Sequence, residues 1–131
     1  MIAVAILAGG LLGGLLRALL DIIIPSPVVF PVATLVVNLV GSIALGFFHH
    51  LSQHKAIAPW IRLGLTAGAI GAFTTFSTVC VDLAAALHHH FVWASVYGIT
   101  SLLGGVLCII AGEWCAAAIL RKTSTTEEVF S

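Results

Sequence analysis

Charged residues are scarce in this sequence: only 8% of its 131 residues are Asp, Glu, Lys or Arg, against about 25% in a typical soluble domain. Acidic and basic residues balance at five each, which excludes a nucleic-acid binder that relies on net positive charge. Hydrophobic residues make up 60% of the chain and the mean hydropathy is +1.18. A soluble domain of this size could not keep that much apolar surface from water, and a disordered chain would not contain it. The composition therefore indicates an integral membrane protein.

Cysteine is also scarce, and Cys80, Cys108 and Cys115 all lie in apolar stretches. An odd number of cysteines within lipid indicates plain hydrophobic side chains, not disulfides. The N-terminus has no basic segment before its apolar run, and the run to Ile24 is longer than the apolar core of a signal peptide. We therefore expect this run to be retained as a first membrane span.

Long apolar runs are abundant, and a bilayer span needs roughly 20 such residues. Prolines and tryptophans mark the ends of these runs, as at Pro25-Ser26-Pro27. The predicted fold is all-α, with a single membrane domain of four transmembrane helices at about residues 2–24, 31–51, 59–87 and 91–120. Residues 121–131 form a polar tail that is expected to fray.

Lysine and arginine lie on one side of this predicted topology. Four spans place both termini and the loop between spans 2 and 3 on the same side, which carries Lys55, Arg62, Arg121 and Lys122. The loops on the other side contain neither residue type. The positive-inside rule therefore predicts that the termini are cytoplasmic.

The third span is unusual because Gly64, Gly68 and Gly71 precede the sequence TTFST at residues 74–78. Glycine, β-branched and hydroxyl residues weaken a helix, and a break at this depth would free carbonyls that lipid cannot satisfy. Transporters use such broken helices as ion sites. The alternative is a continuous, bent helix whose hydroxyls bond to carbonyls one turn earlier.

Polar or small residues recur every four positions on two spans, which places them on one face of each helix. They are Thr34, Asn38 and Ser42 on the second span, and Tyr97, Ser101 and Gly105 on the fourth. We call these two rows of residues the donor stripes. With the TTFST hydroxyls they form a track of neutral donors without a mid-span carboxylate, which suits an anion. The alternative is that these groups only bond neighbouring helices together, at about 0.6 kcal/mol per bond.

Arg17 is the only basic residue well inside a span, and Asp21 follows one turn later as a partner. Arg17 either faces a water-filled vestibule that attracts anions or snorkels to the interface. Phe76 lies beside the expected break, where its positive ring edge can face an anion, although most membrane phenylalanines only pack.

Glycine pairs and histidines complete the sequence features. Two overlapping GxxxG pairs, Gly9/Gly13 and Gly10/Gly14, lie in the first span, and Gly64/Gly68 form another; such pairs permit close contact between helices. The histidines gather at positions 49, 50, 54 and 88–90. They are expected to be interfacial loop residues, since no Cys, Asp or Glu is placed to complete a metal site.

Three segments resemble a known family, the Fluc (CrcB) fluoride channels. Residues 9–17 (GGLLGGLLR) resemble its GGxxGAxxR opening, and residues 34–42 (TLVVNLVGS) resemble its GTLxxNxxGS segment, with Ala33 in place of the first glycine. Residues 71–78 (GAFTTFST) resemble its GGxTTFST core. Motif order, spacing and length agree over nearly the whole chain.

The resemblance implies a passive channel, not an enzyme, that exports cytoplasmic fluoride across the cell membrane and relieves fluoride toxicity. It implies an antiparallel dimer in lipid with two anion pathways, and a structural Na⁺ held by backbone carbonyls of Gly71 and Thr74. The predicted pathway combines positions implied by the family with the donor stripes: Asn38, Phe76, Thr34, Ser77, Thr78, Tyr97, Ser101 and Arg17.

Two departures from the family bear on the dimer: Val79 replaces its second phenylalanine, and Asp82 replaces a glutamate. A symmetric antiparallel homodimer also needs chains that insert both ways, which a strong Lys/Arg bias disfavours. The partner is thus either a second copy or, as we hypothesise, a paralogue of opposite orientation.

Two other functions stay open. A small multidrug exporter would need a membrane-embedded carboxylate to exchange protons for a cation, and Asp21, the only acid of the first span, lies at its end. A non-transporting anchor subunit would not need the donor stripes and would tolerate Asn38→Ala or Phe76→Ile.

Overall fold

The computed structural model describes residues 1–24 and 30–129, and the side chains within them except those of His89 and residues 123–129. Its helices, in chain order, are α1 (Ile2–Ile23), α2 (Val32–His54), α3 (Pro59–Leu63), a π-helical segment (Gly64–Ile70), α4 (Gly71–Phe73), α5 (Phe76–His89) and α6 (Phe91–Val129). The proline segment predicted to end the first span lies outside the described residues.

Four helical stretches of the described chain are long and apolar enough to cross a membrane: Ile2–Ile23, Val32–His54, Pro59–His88 and Phe91–Lys122. Outward-facing side chains such as Leu7, Leu11 and Leu103 are exposed, as expected for surfaces that contact lipid. The prediction of an all-α protein with four membrane helices is confirmed. Helix α6 continues through Val129, because residues 121–129 contain no glycine or proline to end it.

The third span is broken, as predicted. Helix α4 ends at Phe73 and α5 begins at Phe76; between them Thr74 (ψ 158°) and Thr75 (φ −150°) have extended backbone. Thr75 caps α5, because its hydroxyl oxygen accepts a hydrogen bond from the Thr78 backbone N–H at 3.1 Å. The hydroxyl-rich sequence thus supplies a helix cap where the backbone leaves the helix, and the alternative of a continuous bent helix is excluded.

Glycines bring α1 against the first half of the third span. A Cβ at Gly9 or Gly13 would collide with a backbone carbonyl of the π-helical segment, whereas a Cβ at Gly10 or Gly14 would meet no described atom within 4 Å. The Gly9/Gly13 pair therefore makes the contact within the chain, and the overlapping Gly10/Gly14 pair lies on the open side of α1.

A second glycine contact, which the sequence analysis missed, joins α2 and α6. A Cβ at Gly46 or at Gly112 would collide with a backbone carbonyl of the opposite helix. The two glycines lie on different helices and outside any GxxxG pair, so no local pattern indicates them. Their packing turns the two donor stripes toward each other, since a Cβ at Gly105 would lie 3.7 Å from the Ser42 hydroxyl.

Candidate functional site

Asn38 closes the break in the third span. Its Nδ2 donates to the Thr75 carbonyl at 2.8 Å, and its Oδ1 accepts the Thr75 N–H at 2.7 Å. The amide thus pairs two backbone groups that lose their helical partners at a depth where lipid offers none. A flipped Asn38 amide would place its N–H₂ against the Thr75 N–H, so the orientation of the amide is fixed. The second N–H of Nδ2 is not used at the break.

An open cavity of about 230 Å³ lies beside the break. Its lining comes from α2, the break, α5 and α6, and consists of uncharged residues: Asn38, Gly41, Ser42, Leu45, Thr74, Thr75, Phe76, Val79, Ser101 and Leu102. Phe76 is 72% exposed and stands on the open side, whereas Val79 is buried and packs with Leu35 and Tyr97 in a small apolar core.

Ser101 is the only buried polar side chain among those described that has no hydrogen-bond partner. Leaving a buried hydroxyl unpaired costs roughly 1–3 kcal/mol. Ser101 lines the cavity together with Asn38 and Ser42, while its Oγ itself is buried. Asn38 and Ser101 are therefore neutral donors beside the cavity, and the Ser101 hydroxyl would have to turn toward it to reach a small hydrogen-bond acceptor.

A second polar group, the Asp82 cluster (Thr34, Asp82 and Tyr97), lies outside this cavity. The buried Thr34 hydroxyl donates to Asp82 Oδ2 at 2.7 Å, and the fully buried Tyr97 hydroxyl lies 3.5 Å from the same oxygen. The expectation of a donor track without a carboxylate is corrected here, because α5 brings Asp82 between the two stripes. The sequence feature that could have predicted this position is the spacing of Thr75, Thr78 and Asp82, which places Asp82 on the same helix face as the two threonines.

A third polar group, the Arg17 cluster, surrounds the N-terminus of α5. Arg17 Nη2 donates to Thr78 Oγ1 at 2.8 Å, and Arg17 Nε lies 3.8 Å from Asp21 Oδ2. Thr75 Oγ1 donates to Thr78 Oγ1 at 2.9 Å and lies 3.3 Å from Ser77 Oγ. Arg17 therefore turns inward instead of snorkelling, and it adds positive charge beside a helix N-terminus, which itself favours anions.

The predicted pathway residues are divided among these three groups. The cavity brings together Asn38, Phe76 and Ser101. The other five lie in the Asp82 cluster or the Arg17 cluster, so the predicted track is interrupted by hydrogen bonds that its members make with one another.

The residues predicted to hold sodium are Gly71, the first residue of α4, and Thr74, which follows its last residue. In a continuous helix the Gly71 carbonyl would accept the Thr75 N–H, but that N–H donates to Asn38. Gly71 is exposed, and Thr74 has left the helical conformation. Carbonyls released from a broken helix are the ligands that such sites offer to Na⁺, so the residues present fit this ion.

The histidines at the end of α2 form two pairs. His49 Nδ1 lies 3.3 Å from Glu113 Oε1 on α6, and its Nε2 lies 3.3 Å from Gln53 Nε2. The rings of His50 and His54 stack with centroids 4.3 Å apart. Among the described residues, no group of three or more His, Cys, Asp or Glu side chains could hold a metal ion.

Known proteins resemble this chain over part of its length. The chain is 40% identical over 86 residues to "Fluoride-specific ion channel FluC 1" of Moorella thermoacetica, covering 64% of this chain and 61% of that protein. It is 38% identical over 82 residues to "Fluoride-specific ion channel FluC" of Bacteroides fragilis, covering 62% and 65%. For the protein of that name from Chlorobaculum tepidum, the values are 39% over 86 residues, 64% and 68%. The match spans about three fifths to two thirds of these relatives' own length.

A family model described as "CrcB-like protein, Camphor Resistance (CrcB)" matches residues 4–113. This range includes the cavity, the break and both polar clusters, and it is most of the chain. The family predicted from the three sequence motifs is confirmed: the chain belongs to the CrcB-like family.

Proposed function

We propose that this chain is a subunit of a passive, fluoride-selective anion channel of the cell membrane. The observation that carries the proposal is the uncharged cavity beside the break, which is lined by Asn38 and by Ser101, a residue whose buried hydroxyl has no hydrogen-bond partner. The curated relatives are named fluoride-specific ion channels, which supports fluoride as the ion.

The chemistry of the cavity favours a small anion over a cation. An anion that leaves water needs hydrogen-bond donors to replace its hydration shell, and Asn38 and Ser101 provide neutral ones. The N-terminus of α5 and the guanidinium of Arg17 add positive potential nearby. On the open side, the positive edge of the Phe76 ring provides a further surface that an anion can approach.

A Na⁺ bound by the carbonyls of Gly71 and Thr74 would be structural in this scheme. When bound, it supplies a fixed positive charge that offsets the carbonyl dipoles released at the break. Gly71 is exposed, so a second chain could share the ion.

The functional unit in this proposal is an antiparallel dimer. The cavity is open on the side where Phe76 is exposed, and a second chain there would separate the donors from lipid. The Lys/Arg bias directs the termini of this chain to the cytoplasm, so a paralogue of opposite orientation is the partner that the charge pattern favours, with a second copy of this chain as the other candidate.

Export needs no energy input in this proposal. Hydrogen fluoride enters a cell from acidic surroundings and dissociates in the more alkaline cytoplasm, where the anion is trapped. A passive, fluoride-selective pathway then lets the anion leave down its gradient.

Efflux from liposomes loaded with fluoride, and in parallel with chloride, tests the proposal. The chain is reconstituted alone and after co-expression with a paralogue, and the ion released is measured with ion-selective electrodes. We expect rapid fluoride efflux, little chloride efflux, and loss of fluoride efflux in Phe76→Ile. Phe91→Ile is the matched control, because Phe91 is equally exposed but lies far along the chain at the start of α6.

Asp82 gives one specific reason to test a second function. It is a carboxylate within the third span, where a proton-coupled multidrug exporter would need one. Proton-driven uptake of an organic cation, with no fluoride efflux from either preparation, would favour that function over the channel.

A further inference from the structure

We propose that His49 and Glu113 form a pH-responsive entry point for the anion at the end of the cavity that faces the cytoplasm. This inference rests on the proposed fluoride channel function. It concerns the last turns of α2 and the facing part of α6, outside the three polar groups described above.

Helical spacing places both residues in line with the cavity. His49 follows Asn38, Ser42 and Leu45 on one face of α2, since offsets of 4, 7 and 11 residues return to nearly the same direction. At about 1.5 Å of rise per residue, His49 lies about 6 Å beyond Leu45 along the helix. Glu113 likewise follows Leu102 by 11 residues on α6, and Leu102 lines the cavity.

The contact between His49 and Glu113 joins α2 and α6 beyond the donor stripes of these two helices. His49 Nδ1 and Glu113 Oε1 are 3.3 Å apart, with side chains that are 58% and 38% exposed. Exposed ion pairs contribute little to stability, so this pair can change its charge state without unfolding the helix contact. The exposure also lets His49 exchange protons directly with water.

The other charged or titratable groups at this end are histidines, basic side chains and the N-terminal amino group. They are His50, His54 and Lys55 on α2, Arg62 on α3, Arg121 and Lys122 on α6, and the Met1 amino group. Among the side chains described at this end, Glu113 is the one acidic group. His50 and His54 stack on each other.

Protonation of His49 therefore changes the charge next to the entry. With neutral His49, the Glu113 carboxylate leaves a charge of −1 that repels fluoride. With protonated His49 the pair is neutral and the imidazolium offers a hydrogen-bond donor. Because histidine is the side chain that changes charge between about pH 5 and 8, acidification of the cytoplasm, which hydrogen fluoride entry itself produces, would speed fluoride entry into the channel.

Fluoride efflux from liposomes with equal internal and external pH, measured from about pH 8 to about pH 6, tests this inference. We expect the rate through the conducting assembly to rise about threefold toward low pH, which is the effect of one unit charge at about 6 Å in water. Glu113→Gln should be faster than the unmodified chain at every pH because it removes the −1 charge, and it should keep a pH dependence because His49 is still present. His49→Ala should be slow at every pH and should lose the pH dependence. Near 1 M impermeant salt, where screening acts within about 3 Å, the pH effect in the unmodified chain should disappear.

His54→Ala is the matched control and should retain the full pH profile. Protein-free liposomes give the leak of hydrogen fluoride at each pH, which is subtracted. A wild-type profile retained in His49→Ala, or one flattened by His54→Ala, overturns the inference while leaving the proposed channel intact. Absence of fluoride efflux at every pH overturns the proposed function itself.

Discussion

The cavity and the Asp82 cluster contain the same kinds of side chain, yet they use them differently. In the Asp82 cluster, the hydroxyls of Thr34 and Tyr97 converge on one carboxylate oxygen. Beside the cavity, the Ser101 hydroxyl is buried without a partner, although Ser101 lies only one helical turn from Tyr97. The same stripe of donors is thus satisfied at one end and unsatisfied at the other.

This difference separates structural hydrogen bonds from groups that are left for a ligand. A satisfied donor contributes to stability, and its removal should lower the free energy of unfolding. An unsatisfied buried donor destabilises the fold, so its removal should leave stability unchanged or slightly higher. Substitutions in the Asp82 cluster should therefore lower stability more than ion flux, whereas substitution of Ser101 should lower ion flux more than stability.

The largest effect is expected for Asn38→Leu, because Asn38 serves both the break and the cavity. The substitution leaves the Thr75 N–H and carbonyl unpaired within the membrane, at a cost of several kcal/mol per group. Fluoride efflux should fall at least about 100-fold, which corresponds to about 2.7 kcal/mol. Thr66→Val is the control, since the Thr66 hydroxyl donates to the Arg62 carbonyl one turn earlier in the same span. Efflux within threefold of wild type in Asn38→Leu would contradict this role.

Gly13→Ala changes helix packing without removing a hydrogen bond, so it is a reference for the variants in the Asp82 cluster and in the cavity. Its new Cβ would collide with the backbone of the π-helical segment, so the free energy of unfolding should drop by about 1–3 kcal/mol. Gly14→Ala, where a Cβ meets open space, should stay within about 0.5 kcal/mol of wild type. Thermal unfolding in detergent measures both, and equal effects in the two variants would refute the assignment of the contact to Gly9 and Gly13.

Thr34→Val tests the structural role of the Asp82 cluster. It keeps the shape of the side chain but removes the 2.7 Å hydrogen bond to Asp82, so stability should fall by about 1–2 kcal/mol. Fluoride efflux per folded channel should change less than threefold. A large loss of efflux without a loss of stability would assign Thr34 to the anion pathway. The Asp82 cluster could then no longer be called purely structural.

Tyr97→Phe should have a smaller effect than Thr34→Val. The Tyr97 hydroxyl lies 3.5 Å from Asp82 Oδ2, at the limit of hydrogen-bond geometry, and the ring keeps its edge-on contact with Phe30 at 5.8 Å. The expected loss of stability is about 0.5 kcal/mol. An unfolding midpoint lower than that of Thr34→Val would reverse this order.

Local patterns in the sequence predicted much of this architecture. The apolar runs predicted four spans, and the glycines before TTFST predicted the break between Phe73 and Phe76. The four-residue spacing of Asn38 and Ser42 placed both on one face, and both line the cavity. Each of these features depends on neighbours within a few residues along the chain.

Features that depend on distant helices could not be obtained in this way. Gly46 and Gly112 pack against each other's helices although no motif links them. Asp82 joins the donor stripes only because α5 lies against α2 and α6. The sequence also left two interpretations of Arg17 open, and the contact with Thr78, 61 residues away, decides between them.

Ser101→Ala tests the central claim most directly, with Ser95→Ala as the matched control because the Ser95 hydroxyl bonds to the Phe91 carbonyl. Fluoride efflux and the unfolding midpoint are measured on the same preparation of the conducting assembly. If the unpartnered hydroxyl serves the anion, efflux should fall about tenfold, which corresponds to about 1.4 kcal/mol, while the midpoint stays equal or rises. Unchanged fluoride efflux in Ser101→Ala would contradict the assignment of this cavity to the anion.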